Sequence, residues 1–524
     1  MSQVLSRRDF VAAGAAGGVA ILAPMSISEA LAAPRPSRLN LIRSGRFAEG
    51  VLSGDPTPNG ITLWTRLAGA GGRGLVELEV ARTPTFRSVI ARTRLVTSAN
   101  VGHTVKARLT GLRAHEQYYY RFLTRGQNSP VGRFRTALPA DSNQTVRFGF
   151  FSCQDFTFGF YNAHEVMARE DLDFVVNLGD YVYAEAYHRR GSASGGVRTD
   201  PVGEADTLAE YRRKYAAYRS DASLRKMHAK FPMISIWDDH EVQDNYAGGA
   251  GASGGLSPEK RFSIARKRAG YRAYFESMPT FGNPGTRIYK AVRFGRNVDL
   301  VLMDQRQYRA DQPCGDPQVG PPCPELNNPR PFLGATQMNF LKSRLRSTRA
   351  RWKVLGNQVM VMKTIFPGGN YIGFDSWQGY PGERNELLNH IKNNNIKDVV
   401  FVTGDIHTFI AGGVRINDND AASVATEFVG GSISSQGLGD GGGGLIPGAD
   451  PFNPMTPPGI IGLLRQSNPW VKEADTDHHG YAVATASASS FTCRFKRMQT
   501  VKRRTTAALP TGVFSFRLNR GQTL

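Results

Sequence analysis

Cysteine is scarce in this chain, four in 524 residues, so a dense disulfide framework is excluded. Acidic side chains are in deficit too: 44 Asp and Glu stand against 65 Lys and Arg, a formal net charge of +21. A field of that sign steers anionic ligands toward the protein. The arginines are spread along the whole chain, so no single run reads as a polyanion-binding tail. No internal repeat of fixed period is found, which sets aside repeat architectures. With 40% hydrophobic and 21% charged residues, the composition is that of a folded, soluble protein rather than a disordered one. A length of 524 residues is too great for one ordinary core and calls for two or more domains.

Residues 1–33 read as an export signal. Ser6-Arg7-Arg8-Asp9-Phe10-Val11 carries the adjacent arginines of a twin-arginine leader. A small-residue apolar stretch, 11–24, follows, and Ala30-Leu31-Ala32 offers an A-x-A cleavage site. Charged start, weak apolar centre and small-residue exit stand in the order a leader needs, which a first amphipathic helix does not require. The apolar stretch is too short and glycine-rich for a membrane anchor, so none is expected in the mature chain. The implied partner is the twin-arginine export machinery, and the implied address a periplasm or the medium. In an oxidising compartment Cys314 and Cys323, which flank a short Gly/Pro-rich loop, are plausible partners for one loop-closing disulfide. Cys493 lies in an apolar, strand-like run and reads as a buried small residue.

Between about residues 40 and 138 short strands alternate with turns. Val76-Glu77-Leu78-Glu79-Val80 has period two, and Gly54-Asp55-Pro56 and Asn59-Gly60 are turn signals. Leu112, ahead of Tyr118 and then Tyr120-Arg121, matches the tyrosine corner of immunoglobulin or fibronectin-like sandwiches. An all-β sandwich is expected there, followed over 145–524 by a layered α/β core. Apolar runs at 146–151, 173–178, 231–237, 298–303, 352–360 and 399–403 alternate with helical stretches at 208–230, 258–278 and 335–350. That alternation predicts buried sheets flanked by helices. Strand-like runs at 422–429, 481–495 and 513–518 suggest a second sheet, and 437–448 is a glycine-rich loop.

Four of the apolar runs end in residues able to bind metal. They lead into Ser152-Cys153-Gln154-Asp155, Gly179-Asp180-Tyr181-Val182-Tyr183, Asp238-Asp239-His240-Glu241 with Asn245 beyond, and Gly404-Asp405-Ile406-His407. In layered α/β folds the carboxyl ends of strands form the ligand crevice, so four such ends can converge. Each alone has a plain explanation: Gly-Asp is a common turn, Asp238 or Asp239 a helix cap, Cys153 a packed thiol. Independent turns give no reason for Asp, His, Tyr and Cys at successive strand ends. Tyrosine and cysteine are anionic donors suited to ferric iron, with His407 a normal companion. Asp239, Asp405 and the Asn245 amide are hard oxygen donors suited to calcium or magnesium, and Asp180 can bridge two ions.

Gly-Asp-x-x-Tyr is similar to the motif that supplies bridging carboxylate and phenolate in purple acid phosphatases and the wider calcineurin-like metallophosphoesterases. Asp-Asp-His-Glu and Gly-Asp-Ile-His resemble two further blocks of that superfamily, with Asp239 and Asp405 replacing its Asn and His. Its opening Asp-x-His is missing, and Ser-Cys-Gln-Asp stands in its place. Those departures are the pattern of the PhoD family of alkaline phosphatases. Gly50-Val51-Leu52-Ser53-Gly54-Asp55-Pro56, Leu63-Trp64-Thr65-Arg66 and His479-Gly480-Tyr481 agree with it, and the resemblance covers almost all of the mature chain.

The resemblance implies one ferric and two calcium ions, zinc or manganese being the less favoured alternative. Cys153, Asp180, Tyr183 and His407 fall to iron, and Asp180, Asp239 and Asp405 to calcium. Asn245 and Arg266 match positions near the phosphate. Asp180, Asp239 and His240 form the expected catalytic set, and His240 would orient phosphate or protonate the leaving group. The expected reaction is in-line displacement at phosphorus of a phosphate ester. Two alternatives stay open: a phosphodiesterase acting on a polyanion such as teichoic acid, phospholipid or nucleic acid, and a non-catalytic polymer-binding surface protein. The tail after Arg503 reads as strand and turn, so no capping residue is expected from it.

Overall fold

The computed structural model describes residues 25–26, 39–192, 195–251, 260–280, 287–440, 457–509 and 514–524. Apart from the short strand Met25–Ser26, the leader lies outside the described residues, as does the glycine-rich loop from 441 onward. Two kinds of strand are built. In Gln117–Leu123 buried and half-buried residues alternate, as in a sheet with one face in a core. In Phe174–Asn177 and Val399–Thr403 every residue is buried, which requires cover on both faces.

The alternating kind makes the N-terminal sandwich. One sheet has the order Val89–Thr97, Gly74–Ala81, Gln117–Leu123, Gly132–Arg135. Thr104–Thr110, Gly60–Arg66 and Val51–Thr57 face it, and Leu63, Val76, Leu78 and Leu109 belong to the core between. The Tyr118 hydroxyl accepts the Arg113 N–H at 3.0 Å, the tyrosine corner expected from the sequence.

The facing sheet does not stop at the sandwich. Val51–Thr57 pairs in parallel with Pro232–Ser235, so one ten-stranded sheet continues through Phe174–Asn177, Val146–Phe151, Gly480–Ala486, Ser490–Arg497 and Ser515–Asn519. A seven-stranded sheet lies against it, in the order Lys290–Phe294, Val298–Leu302, Trp352–Asn357, Val399–Thr403, Ala425–Gly430, Phe409–Val414, Val471–Asp475. Phe174 stacks on Phe294 at 4.0 Å between centroids and Trp352 meets Phe491 at 5.5 Å, joining the two sheets by an apolar layer. The outer face of the second sheet is covered by Gly334–Ser347 and Pro381–Asn393 through Leu341, Leu345, Leu387 and Ile391.

The division between sheets corrects the sequence expectation. The later runs do not form a second sheet of their own. Ala425–Gly430 joins the strands of 298–403, while Gly480–Ala486 and its successors extend the sheet of 146–235. Periodicity reports burial but not which neighbour supplies it. The stretch 208–230 is two helices, Leu208–Tyr218 and Ala222–Lys230, because the Asp221 carboxylate caps the second by accepting the Ser223 N–H at 2.9 Å. Among the described residues no helix is long and apolar enough to cross a membrane.

Candidate active site

Parallel strands from both sheets deliver five turns to one place. Val146–Phe151 leads to Cys153, Phe174–Asn177 to Asp180 and Tyr183, Pro232–Ser235 to Asp238, Asp239 and His240, Val298–Leu302 to Arg306, and Val399–Thr403 to Asp405 and His407. Gln358 ties the two sheets together here, donating to the Trp237 carbonyl at 2.9 Å and the Met303 carbonyl at 2.7 Å. The turns are packed backbone to backbone. Gly179 has φ +118, and a Cβ there would fall 2.4 Å from the Asp238 Cβ, so only glycine fits. Five of the nine residues picked out in the sequence, Cys153, Asp180, Asn245, Asp405 and His407, adopt positive φ. Non-glycine residues hold that conformation only where their surroundings over-determine it, as functional sites do. Glu241 does much of the holding: its carboxylate accepts the N–H groups of Asp180 at 3.1 Å, Tyr181 at 2.7 Å and Asp238 at 2.9 Å.

The side chains converge as expected. Donor atoms of Cys153, Asp180 and His407 lie within 4.8 Å of one another, as do those of Asp180, Asp239 and His240, and those of Asp238, Asp239 and Asp405. The Tyr183 hydroxyl is 3.1 Å from His407 Nε2 and 3.3 Å from Asp180 Oδ2. His407 Nδ1 donates to the Gln436 carbonyl at 2.7 Å, leaving the Nε2 lone pair directed at the cluster. Asp180 Oδ1 is buried without a hydrogen-bond partner, and Asp239 Oδ1, likewise without one, meets the Arg306 guanidinium at 3.3 Å. An orphaned carboxylate oxygen in such a place is suited to a cation.

The charges conflict as they stand. Burial and then the carboxylates of Asp239, Asp238 and Glu241 push the Asp180 carboxyl well above its usual range, against the pull of His240. Burial and Asp375 push Asp405 up to about 7. Burial brings His407 down to about 4, so its imidazole is neutral and free to ligate. Burial also opposes the charge on Asp239, but Arg306 and His240 outweigh it and hold that carboxyl down to about 2. These groups line a cavity of about 350 Å³, with Tyr187, Met360, Ile372 and Leu438 on its less polar side. The expected Cys314–Cys323 disulfide is formed, and its loop places Asp316, Pro317 and Gln318 in the cavity wall.

Two of the expected roles look different in place. Asn245 reaches the cavity but is engaged there, its N–H donating to Asp239 Oδ2 at 2.6 Å and its amide to Asp316 at 3.0 Å. Arg266 is not brought to the cavity. Its buried guanidinium pairs with Glu204 at 2.8 Å and Glu185 at 3.6 Å and donates to the Lys260 carbonyl at 2.6 Å. Glu185 in turn meets His240 Nδ1 at 2.9 Å, so Arg266 stands two contacts behind the site. Two residues were missed. Arg306 has no exposure and reaches Asp238 at 2.5 Å, Asp375 at 2.8 Å and Asp239 at 3.3 Å, and Asp375 also pairs with Arg309 at 3.0 Å. The apolar run at 298–303 was legible, and following it past its end, as for the other four, would have found Arg306.

Two packed sheets with carboxylates, an imidazole, a phenol and a thiol at their strand ends fit a phosphoric ester hydrolase, and that is the class to which the chain's relatives assign it. The chain belongs to the PhoD-like phosphatase family: that family's model matches residues 148–495, and the model of its N-terminal domain matches 34–138. Alkaline phosphatase D of Bacillus subtilis (strain 168) is 37% identical over 467 residues, spanning 84% of this chain and 78% of its own. The solved structure of PhoD superimposes with a TM-score of 0.81 and 33% identity, covering 91% of each chain. A purple acid phosphatase from yellow lupin (Lupinus luteus) seeds shares the fold, with a TM-score of 0.54 at 12% identity over 90% of this chain and 74% of its own.

Proposed function

We propose that this phosphatase is an exported alkaline phosphatase whose cavity binds iron and calcium and hydrolyses phosphate monoesters, diesters or both. One observation carries the reading. Seven aspartates and three histidines line the cavity, and among the described lining residues there is no lysine or arginine. An anionic phosphate enters such a cavity only against bound cations. Cys153, Tyr183, His407 and Asp180 would hold iron, and Asp180, Asp239 and Asp405 the calcium ions. When bound, the cations neutralise phosphoryl oxygens and activate water for in-line attack. His240 does the proton work on this chain's side. Glu185 holds its Nδ1, the ring stacks on Tyr183 at 4.0 Å between centroids, and Nε2 faces the cavity 3.8 Å from Asp244. From there it donates a proton to the leaving-group oxygen. Asn245 keeps the Asp239 carboxylate in orientation. In the whole chain, residues 40–138 act as a sandwich unit and 145–524 as the catalytic unit, and the leader at 1–33 directs twin-arginine export to a periplasm or the medium.

The diester reading has an observation of its own. A second cavity of about 590 Å³ adjoins the first, shares Tyr187 and His188 with it, and is lined by Arg189 and Arg190 together with Asp200, Glu185 and Glu204, whose carboxylates pair with Lys214 and Arg266. A polyanionic chain crossing from one to the other would place successive phosphates in both. Mono-aryl and bis-aryl phosphates, assayed before and after chelation and with calcium added back, test the proposal. Hydrolysis that is lost on chelation and restored by calcium is expected. Full activity in excess chelator would overturn the metal reading, and no hydrolysis of either ester by metal-loaded protein would leave a polymer-binding protein.

A further inference from the structure

Besides the shared sheet, one buried guanidinium joins the N-terminal sandwich to an active-site turn through side chains. Arg219 follows the helix Leu208–Tyr218 and has no exposed surface. Its Nε donates to the Tyr181 hydroxyl at 3.1 Å, one terminal nitrogen to Glu49 at 3.4 Å, and the other to the Ser277 carbonyl at 2.7 Å. Its plane lies 4.4 Å from the centroid of the Trp64 ring. Glu49 and Trp64 come from the N-terminal sandwich, Ser277 closes the helix Ile264–Ser277, and Tyr181 is the residue after Asp180.

Tyr181 passes this attachment to the active-site turns. A guanidinium can only donate, so the Tyr181 hydroxyl gives its single proton to His228 Nε2, 2.8 Å away. Burial, and after it the charge of Arg219, hold His228 well below its usual range, so it is a neutral acceptor. The Tyr181 N–H donates to Glu241 at 2.7 Å, the same carboxylate that fixes Asp180 and Asp238. The Tyr181 carbonyl accepts from Gln154, the neighbour of Cys153, at 2.8 Å. Both ends of Tyr181 are therefore held, and its backbone end lies in the network that shapes the Cys153, Asp180 and Asp238 turns.

A buried Arg–Glu pair is seldom worth its desolvation as stability alone, since apolar side chains of similar volume do as well. A planar fork that meets a carboxylate, a carbonyl and a phenol at fixed angles supplies orientation instead. We propose that Arg219 is a positioning residue, through which docking of the N-terminal sandwich holds the Asp180–Tyr183 turn in its ligand geometry. The sandwich is on this account a structural support of the active site. The inference rests on Asp180 and Tyr183 being cation ligands, so its test carries a readout independent of metal.

Tyr181→Phe cuts the link to the turn while leaving Arg219 on Glu49 and Ser277, and Arg219→Lys keeps the charge but removes the fork. Hydrogen exchange of residues 179–184 is measured in metal-free protein, and calcium affinity by titration against a chelator. Both variants should exchange faster at 179–184 than the wild type while the sandwich strands keep their protection. Calcium affinity should fall about 10–100-fold, with kcat reduced more than KM. Folded Tyr181→Phe with wild-type exchange and wild-type calcium affinity overturns the proposal. If Arg219→Lys fails to fold, Tyr181→Phe decides. If the wild type itself binds no metal, the ligand reading fails and the exchange comparison alone decides the positioning role.

Discussion

A fully buried guanidinium among carboxylates is tolerable only while every partner stays in place. Arg306 meets Asp238, Asp239 and Asp375 and lies 4.0 Å from Asp405. It neutralises the carboxylates behind the cavity, Asp239 Oδ1 among them, and leaves Asp180 as the carboxylate without a cationic partner of its own. Arg306→Met should therefore destabilise metal-free protein by about 3–5 kcal/mol, read from denaturant titration. A change within error would show that Arg306 does not balance this cluster. Arg266 makes a contrasting prediction. Because it reaches His240 only through Glu185, Arg266→Lys should lower the melting temperature and kcat while KM for an aryl phosphate stays near wild type. A tenfold rise in KM at unchanged stability would instead restore its expected contact with phosphate. At this scale the sequence was informative where residue type and position along a strand coincide, as for Cys153, Asp180, Asp239 and His407. It misled for Arg266, since nothing in a helical arginine's neighbours tells which carboxylate it meets once folded.

Among the elements, Val471–Asp475 at the edge of the seven-stranded sheet is joined to Ser490–Arg497 of the other sheet through the Asp475 carboxylate. Asp475 pairs with Arg497 at 2.7 Å and with His478 at 2.9 Å. Burial opposes its charge, but the hydrogen bonds from His478 and Arg497 outweigh burial and hold the carboxyl down to about 2, against an ordinary 3.8. A carboxyl depressed by folding stabilises above its unfolded pKa and loses that contribution as pH falls through the folded one. Asp475→Asn should then cost roughly 2 kcal/mol at pH 7 and flatten the fall in stability between about pH 4 and pH 2. Denaturant titrations across that range check it, and an unchanged slope in the variant would contradict it. Helices and strands were largely readable from periodicity and punctuation. Their assignment to sheets was not, because Ala425–Gly430 and Gly480–Ala486 are both buried throughout or nearly so, and burial alone does not name a partner.

In the whole molecule the sandwich and the catalytic layers share a sheet, through the pairing of Ser53 with Pro232 and Gly54 with Met233. They also share a core, since Leu52 and Trp64 of the sandwich belong to the same apolar cluster as Phe148 and Trp237. The composition change near residue 138 was legible, but a hydrogen-bonded seam between distant strands leaves no mark in either segment. The seam predicts one cooperative unfolding transition in scanning calorimetry, with calorimetric and van't Hoff enthalpies in agreement. Two separated transitions would show that the shared sheet does not couple the halves. The chain carries a formal net charge of +21, whereas the cavity itself is lined by an excess of carboxylates. A field of that sign draws anions in, and on the proposed reading bound cations receive them. Elemental analysis of the folded protein tests that claim most directly. The account predicts stoichiometric iron together with calcium; two zinc or manganese ions would contradict the ligand assignment, and protein without stoichiometric metal would contradict the account as a whole.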